Sequence, residues 1–239
     1  MYNKKSIAVV IPCYNEEGKI GKVIEKVPKD IVDEIIVIDD GSTDNTAKEA
    51  ELRGATVLRH EINMGTGAAL RTGFEYALKR NYNICIQIGG DDQFNPHQIP
   101  EFLEQMEEGA DFVLGSRYLR KEDSENMPLF RKITTKLFSA FFSFVAGQKI
   151  TDASNGFLTF KTKILKEIDI SPQWLNRYEL EPYMLLRIIE KGYKVVEIPS
   201  SQRYDKSKGY SKMKPIISWW HITKPLFREL PKALLRRFR

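Results

Sequence analysis

The stretches that decide the fold are IAVVIPCYNEE at residues 7–17 and EIIVIDDGSTD at residues 34–44. Each is a short β-branched run that stops abruptly at proline or acidic and small polar residues, and each is followed by a helical pattern. That is how a strand reads when its carboxyl end opens into a turn. Further strand signals lie at residues 56–58, 84–88 and 112–114, and helical patterns at 16–27, 43–53, 67–80 and 96–107. This alternation predicts an α/β domain, a Rossmann-like and mainly parallel sheet with helices on both faces. Ligands of such sheets bind beyond the carboxyl ends of the strands. Residues 12–17, 39–44, 59–67, 89–93 and 115–118 are therefore the candidate site, and they are rich in Asp, Asn, Gly and Arg.

The chain has 239 residues, 42% of them hydrophobic, enough to bury a core in one or two domains. The net charge of +5 is unevenly placed. Residues 203–239 hold 11 basic and 2 acidic side chains, against a slightly acidic remainder, so the end of the chain is a cationic tail that should seek anions. Two cysteines, Cys13 and Cys85, make no disulfide framework, and a reducing, cytoplasmic compartment is expected. The apolar run near the N-terminus ends in Pro12 with no small-residue cleavage site, unlike a signal peptide. No apolar stretch approaches the ~20 residues of a spanning helix, so the chain is not expected to cross a membrane, although a chain cut after Arg239 would read the same.

The second half is less regular. A polar loop at 120–126 precedes an apolar and basic segment at 127–147, then a turn-rich stretch at 151–156. Residues 200–214, rich in Lys, Ser and Tyr, read as a mobile loop. Pro215, Pro225 and Pro231 suit the first turns of successive short helices, which predicts a segmented helical tail. The expected division is an α/β domain at 1–214 and an amphipathic, basic, aromatic helical tail at 215–239.

Two acidic pairs stand at strand mouths. Asp39 and Asp40 close the second strand, where Ser42, Thr43 and Asp44 read as caps of the next helix. Asp91 and Asp92 follow the fourth strand beside Gln93; carboxylates with a carboxamide oxygen suit Mg²⁺ or Mn²⁺, with a solvated turn as the alternative. Asn63, Gly65 and Gly67 resemble a phosphate-cradling loop, but Leu70 replaces a third glycine and no GxxxxGK[ST] element occurs. The glycines then serve a tight turn and close backbone approach, with Arg71 one turn into the helix, facing the cleft or solvent. The three histidines lack zinc spacing, and no Ser, His, Asp ordering stands out.

In order, residues 9–17, 39–44, Asn63 with Gly65 and Gly67, Asp91 with Gln93, and Gly115 to Tyr118 resemble the family 2 inverting glycosyltransferases. Residues 152–157, 192–199 and 209–213 are similar to the dolichyl- or polyprenyl-phosphate hexose synthase branch, so the likeness covers nearly the whole chain up to Met213. It implies a GT-A fold, a GDP- or UDP-hexose donor, a divalent metal and inversion at the anomeric carbon. By position it implies that Pro12, Tyr14, Glu16, Asn63 and Asp92 line the nucleotide-sugar pocket, that Asp39 recognises the base, and that Arg71 sits near base or ribose. Asp91 and Gln93 match metal ligands, Arg117 meets the donor or acceptor phosphate with Arg131, and Lys212, supported by Ser211, meets a phosphate from a loop. One departure is plain: Gly89 stands where similar enzymes place the first Asp of an Asp-x-Asp element. Lys206 fills the preceding basic position by spacing, with Arg203 as the alternative.

If the acceptor is a polyprenyl phosphate, its oxygen is already largely ionised. If it is a saccharide hydroxyl, Asp92 or Asp152 must take a proton. The aromatic and basic residues of 127–147 and of the tail suit a membrane interface, with a core helix as the alternative for the first segment. These features predict a hexosyltransferase held peripherally at the cytosolic membrane face, with no nucleic-acid partner. The competing readings are a saccharide-extending transferase, a nucleotidyltransferase, and a membrane-binding module whose cleft lost activity with Gly89.

Overall fold

Strand β1 (Ile7–Cys13) alternates its side chains between two buried faces. Ala8 and Val10 pack into one core with Leu70, Phe74 and Phe160, while Ile7, Val9 and Ile11 pack into a second core with Ile20, Ile24 and Phe102. Burial on both faces is why the run is apolar at every position, as in a sheet covered by helices on both sides. In the computed structural model, residues 4–124, 127–203 and 215–237 are described.

The first four strands and helices follow the sequence reading closely. After β1 come α1 (Ile20–Lys26), β2 (Glu34–Asp39), α2 (Thr46–Leu52), β3 (Thr56–Arg59), α3 (Thr66–Lys79), β4 (Ile84–Gln87), α4 (Ile99–Glu107) and β5 (Phe112–Ser116). Then come α5 (Leu129–Ala146), β6 (Leu158–Lys161), α6 (Leu180–Glu190), β7 (Val195–Pro199) and α7 (Pro215–Arg237). The seven-stranded sheet has the order β3-β2-β1-β4-β6-β5-β7. Only β6 runs against its neighbours, β4 and β5, so the carboxyl ends of the other strands share one rim.

The tail departs from expectation. α7 is assigned as one helix through Pro225 and Pro231 rather than as segments. Each proline removes an N–H and favours a kink, but tertiary burial outweighs that local signal: Ile222 and Leu226 are buried in the first core. Trp219 meets Phe138 of α5 edge-on at 6.1 Å, Arg228 lies 4.2 Å over the Trp174 ring, and Glu229 pairs with Arg187 of α6. The helix thus shares the core of the preceding residues. No described helix is long and apolar enough to cross a membrane.

Candidate active site

The rim of parallel strand ends carries a cavity of about 460 Å³. The end of β1 supplies Pro12 and Cys13 to it, and the turn that follows supplies Tyr14 and Glu16. That turn is held by the one after β2. Ser42 Oγ accepts the Asn15 N–H at 2.9 Å, Asn15 Oδ1 accepts the Thr43 N–H at 2.9 Å, and Thr46 Oγ1 accepts the Glu16 N–H at 2.8 Å. Ser42 and Thr43 therefore tie two turns together instead of capping α2, whose N-cap residue is Asn45.

Asp39 and Asp40 divide their work. Asp40 borders the cavity, and its oxygens accept the N–H groups of Met64 at 2.9 Å and Gly65 at 2.8 Å, with His60 Nδ1 at 2.8 Å. It pins the 60–65 loop and sets Asn63 and Gly65 on the cavity wall. Asp39 is fully buried; one oxygen accepts the Ser42 N–H at 3.0 Å and the other faces Arg59 Nε at 3.1 Å. Gly67 answers to the opposite wall, because a Cβ there would press into the carbonyl oxygens of Leu175 and Arg177. That close approach, foreseen for this glycine, brings Arg177 and Tyr178 to the cavity.

Asp91 and Gln93 follow β4 and also line the cavity. Burial holds the Asp91 carboxyl above the ordinary carboxylate range; the Glu16 carboxylate adds to this, and the Gln93 N–H, Lys19 and Arg131 oppose it. A carboxylate whose ionised form burial disfavours gains from a bound cation. A Cβ at Gly89 would lie 3.3 Å from Asp91 Oδ1, so an acidic residue there would add a second carboxylate to the first. With glycine the donor set is one carboxylate and one carboxamide, and no cluster of three acidic, His or Cys side chains occurs among the described residues. Two hard oxygen donors still fit Mg²⁺ or Mn²⁺ when diphosphate and water complete the shell.

Five expected site residues do not line the cavity. Arg71 does not line the cavity: its half-buried guanidinium donates to the carbonyls of Ile170 and Ser171 at 3.1 Å and to Asn176 Oδ1, bracing the 170–176 segment. Asp39 is buried behind Arg59, as above. Asp92 is turned away by a left-handed backbone (φ 59°) and pairs with Lys26. Asp152 is fully buried, and both its oxygens are taken by Arg117, Nε at 2.6 Å and Nη2 at 2.7 Å, so it is in no position to accept a proton from an acceptor. Arg117 is itself 1% exposed and connects to the cavity through Gln202, whose Oε1 accepts from its Nη1 at 2.8 Å. Gln202 Nε2 in turn donates to Gln93 Oε1 at 2.6 Å. Pro12, Tyr14, Glu16, Asn63, Asp91, Gln93 and Arg131 do meet at the cavity. Lys206, Ser211 and Lys212 lie outside the described residues.

Sequence reasoning missed Arg177, Tyr178 and Gln202 as cavity residues. Arg177 and Tyr178 arrive through the glycine contact across 110 residues of chain. Gln202 arrives through the exit of β7 beside β5, and no local pattern marks it. It also missed Glu181, between β4 and the turn before β6, which Gln87 holds by a side-chain hydrogen bond. Burial pushes the Glu181 carboxyl from 4.5 up to about 7. The folded state thus keeps a proton that the unfolded state has lost, and stability declines as the pH rises through that window and levels off above it. Glu181→Gln, fixed in the neutral form, should match the wild type near about pH 4 and exceed it above about pH 7 in chemical unfolding. An equal difference at both pH values would refute the assignment.

The chain belongs to glycosyl transferase family 2, whose pattern matches residues 8–169. Within that family it is similar to the polyprenol monophosphomannose synthase of Mycolicibacterium smegmatis, 30% identical over 86% of this chain and 80% of that protein. It is also similar to the dolichyl-phosphate hexose transferase of Haloferax volcanii, 27% identical over 98% of each. Among solved structures, glucosyl-3-phosphoglycerate synthase from Mycobacterium tuberculosis in complex with UDP superposes with a TM-score of 0.71 at 20% identity, over 96% of this chain and 81% of that chain. That likeness is one of fold, the GT-A fold.

Proposed function

We propose that this protein transfers a hexose from a GDP- or UDP-sugar to a polyprenyl phosphate at the cytosolic face of a membrane, by one in-line displacement that inverts the anomeric carbon. The observation that carries the reading is one cavity at the sheet's rim that joins the Asp91 and Gln93 oxygens to the guanidinium groups of Arg131 and Arg177. Such a site binds two phosphorylated partners and balances the charge that moves between them. The names of the Mycolicibacterium and Haloferax relatives, both phosphopolyprenol enzymes, support the acceptor.

Pro12, Tyr14, Glu16 and Asn63 form the wall that takes the nucleoside, and Asp39 acts behind it by fixing Ser42. Arg131 holds the acceptor phosphate, whose second ionisation near pH ~6 leaves a nucleophilic oxygen at neutrality without a general base. This agrees with Asp92 and Asp152, the two candidate bases, being bound to Lys26 and Arg117; a saccharide hydroxyl would need one of them free. Asp91 and Gln93 would hold Mg²⁺ or Mn²⁺, which supplies Lewis-acid neutralisation of the departing diphosphate. Arg117 is a positioning residue that orients Gln202 and through it Gln93. By the family likeness Lys212 and Ser211 complete the phosphate contacts.

The test is a donor screen with GDP- and UDP-hexoses and Mn²⁺ or Mg²⁺, offering a polyprenyl phosphate or a saccharide. A labelled product that enters organic solvent and needs the lipid phosphate supports the reading. A water-soluble saccharide product, or no turnover of any donor, overturns it.

A further inference from the structure

Helix α5 has three cations, Arg131, Lys132 and Lys136, and no acidic residue. Its inner face, including Phe138, Phe142 and Val145, is buried. Its outer face is apolar yet exposed: Leu129 is 72% accessible, Phe130 67%, Ile133 50% and Leu137 66%, and Phe144 continues the line. At 3.6 residues per turn these five fall within an arc of about 100° that runs about 22 Å along the helix. On the same wheel Lys132 and Lys136 border the arc, while Arg131 points to the far side and lines the cavity.

Helix α7 extends the face. Phe227 lies 5.4 Å from Phe141 of α5, and Trp220 stacks on Phe227 at 6.1 Å; both Trp220 and Phe227 are exposed. An apolar surface of this extent, bordered on α5 by two lysines and no acid, marks an interaction site. Its chemistry selects the partner. Aromatic and aliphatic side chains with lysines at the border suit the headgroup and acyl boundary of an anionic bilayer. A second copy of the chain fits less well, because a two-fold interface would set Lys132 and Lys136 against their equivalents, with no acid on α5 to receive them.

We propose that the outer face of α5 with Trp220 and Phe227 docks on an anionic lipid surface. Arg131 stands on the opposite side of the same helix, so docking holds the cavity about one helix diameter, roughly 10 Å, from the lipid surface, within reach of a lipid-borne phosphate. This deepens the acceptor reading above and rests on it for that last step only.

The experiment is co-sedimentation of the full chain, without donor, with phosphatidylcholine vesicles and with vesicles containing phosphatidylglycerol. Wild type should pellet with the second at least about tenfold more than with the first, and salt should weaken it. Phe130→Ser with Leu137→Ser should lose that binding at least about tenfold with an unchanged melting temperature, because both side chains already face solvent. Transfer to a short water-soluble prenyl phosphate should be unchanged in that variant, and transfer to the long-chain lipid in vesicles should fall. Equal pelleting of the variant, or no pelleting of wild type, overturns the proposal, as does a dimer that dissociates on the same substitutions. Binding is read without donor, so an absence of transfer overturns the acceptor assignment while leaving the docking result standing.

Discussion

Asp91→Ala is expected to lower transfer by at least about a hundredfold while the protein folds normally. Asp91 would act by holding the cation that offsets the charge on the departing diphosphate; losing one pre-organised electrostatic group costs about 10²–10³ in kcat, about 3–4 kcal/mol, and here the lost group is the carboxylate of the pair with Gln93. Stability should hold or rise slightly, because burial already disfavours the ionised Asp91 carboxyl. Donor turnover with excess Mn²⁺ and a thermal unfolding curve check both halves. Activity within about threefold of wild type would remove Asp91 from the charge-balancing role.

Asp152→Ala should damage the fold more than any other single change considered. It strands the Arg117 guanidinium, 1% exposed, without its carboxylate. Leaving a buried charge unpaired costs about 3–5 kcal/mol, and for a chain of this size that lowers Tm by roughly 6–20 °C. Arg117→Ala should act similarly, leaving the carboxylate unpaired. Replacing both, Arg117→Met with Asp152→Leu, should recover much of the stability, since two apolar side chains need no partner. The recovered variant should still turn over slowly, because the Arg117 bond that orients the Gln202 side chain and, through it, Gln93 is then lost. Urea unfolding of the four proteins measures the coupling. A loss below about 1 kcal/mol in both single variants would show the pair to be unimportant to the fold.

The parallel half of the fold was legible because its cause is local. Runs such as 7–11 and 35–38 are apolar at consecutive positions, as a strand buried on both faces requires. The polar residues that end them are the cavity-lining turns. α7 was misread for the opposite reason: proline is a strong local signal, whereas the burial of Ile222 and Leu226 depends on α5 and α6. The exposed outer face of α5 was likewise ambiguous, since apolar side chains on a helix look alike in sequence whether they face a core or a lipid.

The same distinction sorts the site. Residues at or just beyond a strand's end, Pro12, Tyr14, Glu16, Asp91 and Gln93, were placed by the chain alone, since a strand's end carries the residues near it to the rim whatever packs around them. Which carboxylates stay available was decided in three dimensions. Asp92 and Asp152 read as open acids until Lys26 and Arg117, distant in the chain, are found against them. Arg177, Tyr178 and Gln202 reached the cavity in the same way, through long-range contacts. Sequence thus determined the sheet and its chemical edge, because periodicity and turn residues act over a few positions; tertiary structure decided which charges remain for function, because ion pairing depends on distance in space.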